Sequence, residues 1–174
     1  MIMKTILLLG DSLIEWGNWQ HYFPKSSVLN AGLAGETVQG LQARLASILG
    51  RITDPDGVVV MTGTNNLAMD DFYFIPDYEE VLRCLVSSFP ETDVAVTSLL
   101  PVDFSWQPAT VVCSLNDQLR EMCGRTGVRY IDLHTRFVDA IGQGSQLFDA
   151  DGVHLAPKGY ELWSRVLKEI FPWL

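Results

Sequence analysis

The chain has 174 residues, 48% of them hydrophobic and 19% charged, which suits one ordinary globular domain over residues 1–174 and excludes a disordered chain. Its formal net charge of −9 leaves no basic patch for a nucleic-acid partner and disfavours docking on an anionic membrane surface. Three cysteines, Cys84, Cys113 and Cys123, are too few and too irregularly spaced for a disulfide framework or a zinc site, and are expected as buried small hydrophobes in a reducing compartment.

Along the chain, Thr5–Leu9 is a short apolar run that stops at Gly10-Asp11 without a small-residue cleavage site. It reads as a buried first strand rather than a signal peptide. No stretch is long enough to span a bilayer, so a cytoplasmic protein with no stable membrane insertion is expected. Ser27–Asn30 is the second strand. Val38, Leu41, Leu45, Ile48 and Leu49 then form an apolar stripe at helical spacing. Val58–Met61 is the third strand. A cleaner stripe follows at Tyr78, Val81, Leu82, Leu85, Val86 and Phe89, with Asp77 after Pro76 as its expected cap. Val94–Thr97 is the fourth strand, and the stretch from Pro101 to Pro108 after it is the most loop-like of the chain. Val112, Leu115, Leu119 and Met122 make a third helix, Arg129–Ile131 a fifth strand. Leu162, Trp163, Val166, Leu167 and Ile170 make a last helix, started by Pro157.

The strand runs lack strict alternation, as strands covered on both faces should. Strands alternating with helices predict right-handed βαβ units, hence an α/β fold with a five-stranded parallel sheet between helical layers. In such folds ligands bind beyond the carboxyl ends of the strands. Polar residues do follow the strands there: Asp11-Ser12 after the first, Asn30 to Glu36 after the second, Thr62 to Asn66 after the third.

Four of these segments can carry chemistry together. Ser12 stands where a strand turns into a helix, on Gly10, which permits a tight turn. A serine hydroxyl becomes a useful nucleophile once a base takes its proton. The triplet alone means little, since chance produces it in roughly one chain in twenty and Asp11 or Ser12 could simply cap a helix. His154, just before the last helix, titrates in the range such a base needs, and Asp151 could hold its other ring nitrogen. Asn65, after the third strand, offers a side-chain amide to a developing oxyanion. Gly35 offers a backbone N–H at the start of the next helix. Each has a bland reading as a turn or polar loop; their shared placement at one sheet edge does not.

With these residues in view, the sequence resembles the SGNH hydrolases, also called the GDSL family of esterases and lipases. Gly10-Asp11-Ser12-Leu13 is similar to the family's first block, Gly35 in Ala34-Gly35-Glu36-Thr37 to the second, Gly63-Thr64-Asn65 to the third, and Asp151-x-x-His154 to the last. The resemblance implies a flavodoxin-like three-layer α/β/α sandwich. It implies Ser12, His154 and Asp151 as catalytic residues, and an oxyanion hole from Ser12, Gly35 and Asn65. It implies a small-molecule ester substrate and no metal or cofactor. Asn66 stands where the third block usually has Asp, a departure shared with branches like the platelet-activating-factor acetylhydrolase subunits; Leu99-Leu100-Pro101 also resembles that branch.

The two other histidines match no family block and fit the base less well than His154. His134 follows the fifth strand, with Asp132-x-His134 on one face of an extended segment, and His21 lies in an aromatic loop expected at the surface. Trp16, Trp19 and Tyr22, then Phe72, Tyr73 and Phe74, then Phe104 and Trp106, follow successive strands and could wall an apolar or sugar-stacking cleft. Ordinary packing explains any single one of them equally well. There is no Gly-x-Ser-x-Gly elbow, Walker loop or His-Glu-x-x-His. The expected function is a serine ester hydrolase for small or short-chain acyl groups, acetyl esters of sugars or lipids among them. Lysophospholipase or thioesterase activity is the enzymic alternative, and a flavodoxin-like small-molecule binding module the non-enzymic one.

Overall fold

Thr5–Gly10 forms β1, a run whose side chains from Ile6 onward are buried. The structure, a computed structural model, describes residues 3–104, 106 and 108–174. Met1 and Ile2 of the amino-terminal run, and Ser105 and Gln107 of the Pro101 to Pro108 stretch, lie outside the described residues. Four more strands join β1: β2 (Ser27–Gly32), β3 (Gly57–Met61), β4 (Asp93–Thr97) and β5 (Arg129–Ile131). All pairs are parallel and the order is β2-β1-β3-β4-β5, the flavodoxin-like arrangement.

The pleat sends alternate side chains to opposite faces. Leu7, Leu9, Val58, Val60, Val94 and Val96 feed one core, which packs under α3 (Val38–Leu49), α5 (Ile75–Ser88) and α6 (Ala109–Thr126). Ile6, Leu8, Val59, Met61 and Ala95 feed the other. That core packs under α1 (Ser12–Glu15), α2 (Trp19–Tyr22), α7 (Leu133–Gly142) and α8 (Pro157–Ile170). The remaining helix, α4 (Thr64–Ala68), follows β3 directly. The three-layer α/β/α sandwich is therefore the fold of the described chain.

Some local expectations change. β2 runs on to Gly32, so Asn30 lies within the strand, paired in register with Leu8. The Asn30 amide is spent on the carbonyls of Ile14 and Glu15. Asp77 does not cap α5, because Pro76 fits the first turn and the helix begins at Ile75. Asp77 instead accepts a hydrogen bond from Gln39 Nε2 at 2.9 Å. Of the cysteines only Cys123 is buried; Cys84 and Cys113 are exposed, since they fall on the outer faces of α5 and α6. No helix among the described residues is long and apolar enough to cross a membrane.

Candidate active site

The carboxyl end of β1 is shaped by close backbone approach. A Cβ on Gly10 would lie 1.9 Å from the Met61 carbonyl oxygen, so only glycine lets β1 pass β3 there. The chain then turns into α1, and two adjacent side chains take different partners. Asp11 is the N-cap, its Oδ1 accepting from the Leu13 N–H at 3.0 Å. Ser12 is therefore not needed as a cap, and its Oγ lies 3.1 Å from His154 Nε2.

His154 is held by a short loop organised around Asp151. Asp151 Oδ1 accepts from the N–H groups of Val153 and His154, both at 2.9 Å. Its Oδ2 lies 2.6 Å from His154 Nδ1. A carboxylate at that distance favours the proton on Nδ1, which leaves Nε2 as the acceptor facing Ser12. The hydrogen bond from His154, with the two backbone donors, holds the Asp151 carboxyl down at about 2. Gly152 takes a left-handed φ of 71° in this loop, and its carbonyl accepts from Asp103 N–H at 3.0 Å. The loop after β4 thus braces the loop that carries the imidazole.

The two candidate oxyanion donors come from opposite sides of β1. Gly35 also has a left-handed φ, 77°, and its N–H has no hydrogen-bond partner among the described residues. The loop that presents it is pinned by Leu33 N–H to Gly10 O at 2.9 Å and Ala34 N–H to Glu15 Oε2 at 3.1 Å. Asn65 donates one amide hydrogen to the Glu36 carbonyl at 3.0 Å, which orients the amide and leaves its second hydrogen without an acceptor among the described residues.

Asn66 explains its own departure from the family pattern. Its Oδ1 accepts from Val38 N–H at 2.9 Å, while its Nδ2 donates to Gln39 Oε1 at 2.8 Å and Asp71 Oδ2 at 2.7 Å. An aspartate could accept the first bond but make neither donation while ionised. The amide therefore ties the start of α4 to the start of α3, the two points that present Asn65 and Gly35.

The structure also places residues whose role the sequence does not reveal. Glu36 is buried and paired with Arg44, whose Nη2 reaches both Glu36 Oε2 and the Ala31 carbonyl at 2.6 Å. That pair staples the Gly35 loop to α3. Their separation of eight positions matches no local motif, so nothing in the sequence marks them as a pair. Asp11 is fully buried with Oδ2 unpartnered, and burial pushes its carboxyl up to about 7.

His134 stands elsewhere. It belongs to the first turn of α7, capped by Asp132, so the two are not on one face of an extended segment. The sheet order puts β5 three strand positions from β1, on the order of 14 Å at the usual spacing. Burial lowers its imidazole pKa, and its backbone N–H donates to Ser98 Oγ. His21 is exposed on α2 beside Tyr22. The aromatic residues divide: Trp19 and Phe74 are core, while Trp16 is 56%, Trp106 60% and Tyr73 87% exposed.

Known proteins resemble this chain in sequence and in fold. The family model described as the GDSL-like lipase/acylhydrolase family matches residues 8–162. Platelet-activating factor acetylhydrolase IB subunit alpha1 of Rattus norvegicus is 25% identical over 174 residues, covering 95% of this chain and 74% of the relative. Among solved structures, the acetylxylan esterase Axe2 of Geobacillus stearothermophilus superposes with a TM-score of 0.76 at 18% identity, covering 98% of this chain and 96% of the other. A member of the lipolytic protein G-D-S-L family from Veillonella parvula gives 0.78 at 20% identity, covering 98% and 100%.

Proposed function

This chain belongs to the GDSL-like lipase/acylhydrolase family and is an ester hydrolase; on that premise we propose that Ser12 is its nucleophile and that it removes small acyl groups. The observation that carries the reading is the unbroken line of hydrogen bonds from Ser12 Oγ through both nitrogens of His154 to Asp151.

In acylation, His154 Nε2 takes the Ser12 proton while Oγ bonds to the ester carbonyl carbon and the carbonyl π pair moves onto oxygen. The Gly35 N–H, the second Asn65 amide hydrogen and the Ser12 N–H receive that charge; losing one such donor costs about 10²–10³ in turnover. Collapse expels the alcohol, which His154 protonates. Water, deprotonated by the same nitrogen, then attacks the acyl carbon; the Oγ–acyl bond breaks, the acid leaves, and His154 returns the proton to Ser12 Oγ. Asp151 stays ionised throughout and stabilises the imidazolium. No step asks for a metal or cofactor. Acetyl is the favoured acyl group: two of the three similar proteins named above carry acetyl in their names.

A fluorophosphonate probe tests the nucleophile: the wild type should label once, and Ser12→Ala not at all. Equal labelling of both proteins would remove the reading. His154→Ala should cost several orders of magnitude in turnover with folding intact. A panel of p-nitrophenyl esters of graded length, followed by acetylated sugars, should show kcat/KM falling beyond the shortest chains; a rise with chain length would favour a lysophospholipase instead.

A further inference from the structure

We propose that Trp16 is a positioning residue for the base, its indole face steadying the His154 ring and stabilising the imidazolium that forms when Ser12 gives up its proton. The inference rests on the Ser12–His154 reading above.

The two ring centroids are 4.2 Å apart with planes 29° from parallel, so the contact is face to face. The imidazole is also held at its edge, by Ser12 Oγ and Asp151 Oδ2. Hydrogen bonds in the ring plane resist sliding better than tilting. An indole against one face opposes the tilt that would swing Nε2 away from Oγ. During proton transfer the Oγ–H bond breaks, the Nε2–H bond forms, and the ring becomes cationic against a π face. That attraction is weak for the neutral ring and strong for the cation. It is therefore greater in the transition state than in the resting enzyme, the condition for accelerating the chemistry.

Trp16 does not owe its place to core packing, since more than half of it faces solvent. Its backbone is nevertheless fixed by the same turn that presents Ser12. Its N–H donates to the Ser12 carbonyl at 3.0 Å. The next residue must be glycine, because a Cβ on Gly17 would lie 2.3 Å from Trp19 Nε1. Trp19 in turn is buried, donates to the Ile14 carbonyl at 2.7 Å, and meets Tyr160 and Trp163 edge-on. One short segment thus sets both the hydroxyl and the ring that backs its base.

The test compares Trp16→Leu, which keeps an apolar cover, with Trp16→Phe, which keeps a π face. For each, melting temperature, fluorophosphonate labelling and steady-state hydrolysis of p-nitrophenyl acetate are measured. Trp16→Leu should lose about 2- to 30-fold in kcat, the range expected of a cation–π contact, with KM and melting temperature nearly unchanged. Trp16→Phe should recover most of that loss. Wild-type kcat in Trp16→Leu, a loss carried by KM, or no advantage of Phe over Leu would each overturn the role of Trp16. A wild type that neither labels nor hydrolyses the ester would instead remove the Ser12–His154 reading, so the two failures are distinct.

Discussion

Asp11 and Ser12 are neighbours with opposite surroundings. The serine hydroxyl looks outward to His154, while the aspartate is sealed beneath it with one oxygen on the Leu13 N–H and the other without a partner. The groups that act electrostatically on Asp11, or feel it, are His154, Glu36, Tyr78 and Tyr160, and none offsets the cost of burial. The consequence for stability has a definite sign. Between its ordinary value of 3.8 and about 7 the folded carboxyl keeps a proton that the unfolded chain releases. Stability therefore falls as pH rises through that window and stays at the lower level above it. Asp11→Asn removes this dependence and keeps an acceptor for Leu13. Relative to wild type it should gain up to about 4 kcal/mol between pH 4 and pH 8, read from unfolding curves at both. A constant difference across pH would mean that the folded carboxyl ionises normally. Neither the burial of Asp11 nor the stacking of Trp16 can be read from the sequence, because an Asp and a Trp next to a serine are equally compatible with an exposed loop.

The helices differ in how visible they are. α3, α5, α6 and α8 each span at least 12 residues and carry an apolar stripe long enough to recognise. α1, α2 and α4 have four or five residues each, less than one and a half turns, and show no periodicity. Yet α1 and α4 hold Ser12 and Asn65. α7 buries only Leu133 and Phe137, too few positions to distinguish a helix from an extended Asp132-x-His134 by pattern. Short helices of this kind depend on ties from outside, and the Asn66 side chain is one. Asn66→Asp would forfeit the donations to Gln39 and Asp71 and set a second carboxylate beside Asp71. A loss of roughly 1–3 kcal/mol is expected at pH 7. It should shrink near pH 4, where one carboxyl of the pair can hold a proton and donate. Thermal melts at the two pH values check this. Esterase activity should fall along with stability, since the same amide aligns Asn65 with the Gly35 loop.

Across the whole molecule the sheet separates two cores, and β1 contributes to both. Because β1 is paired on each side, its end is a fixed point to which the neighbouring strand-end loops are referred. Leu8→Ala tests that role. The side chain is fully buried, so a loss of about 2–5 kcal/mol is expected by denaturant unfolding. Fluorophosphonate labelling per folded molecule should hold well below the melting temperature, because the damage is to the core and not to the hydrogen bonds at the site. Labelling that fell in parallel at low temperature would show that packing beneath β1 also sets the position of Ser12.

By itself the sequence determined the alternation of strands and helices, the parallel sheet and the segments that meet at its carboxyl edge. Local physics suffices for these: buried runs make covered strands, amphipathic stripes make outer helices, and right-handed crossovers leave few ways to join them. It also marked Ser12, Gly35, Asn65, Asp151 and His154, through resemblance and placement. Only the tertiary structure set the distances. His154, 142 positions from Ser12, comes within 3.1 Å of it, whereas His134, closer in sequence, follows a strand three positions across the sheet from β1. It likewise decided which aromatic residues became core and which stayed exposed, and which partners the Asn66 amide meets. Those outcomes rest on contacts between distant segments, and no local pattern encodes a contact whose partner is supplied by the fold.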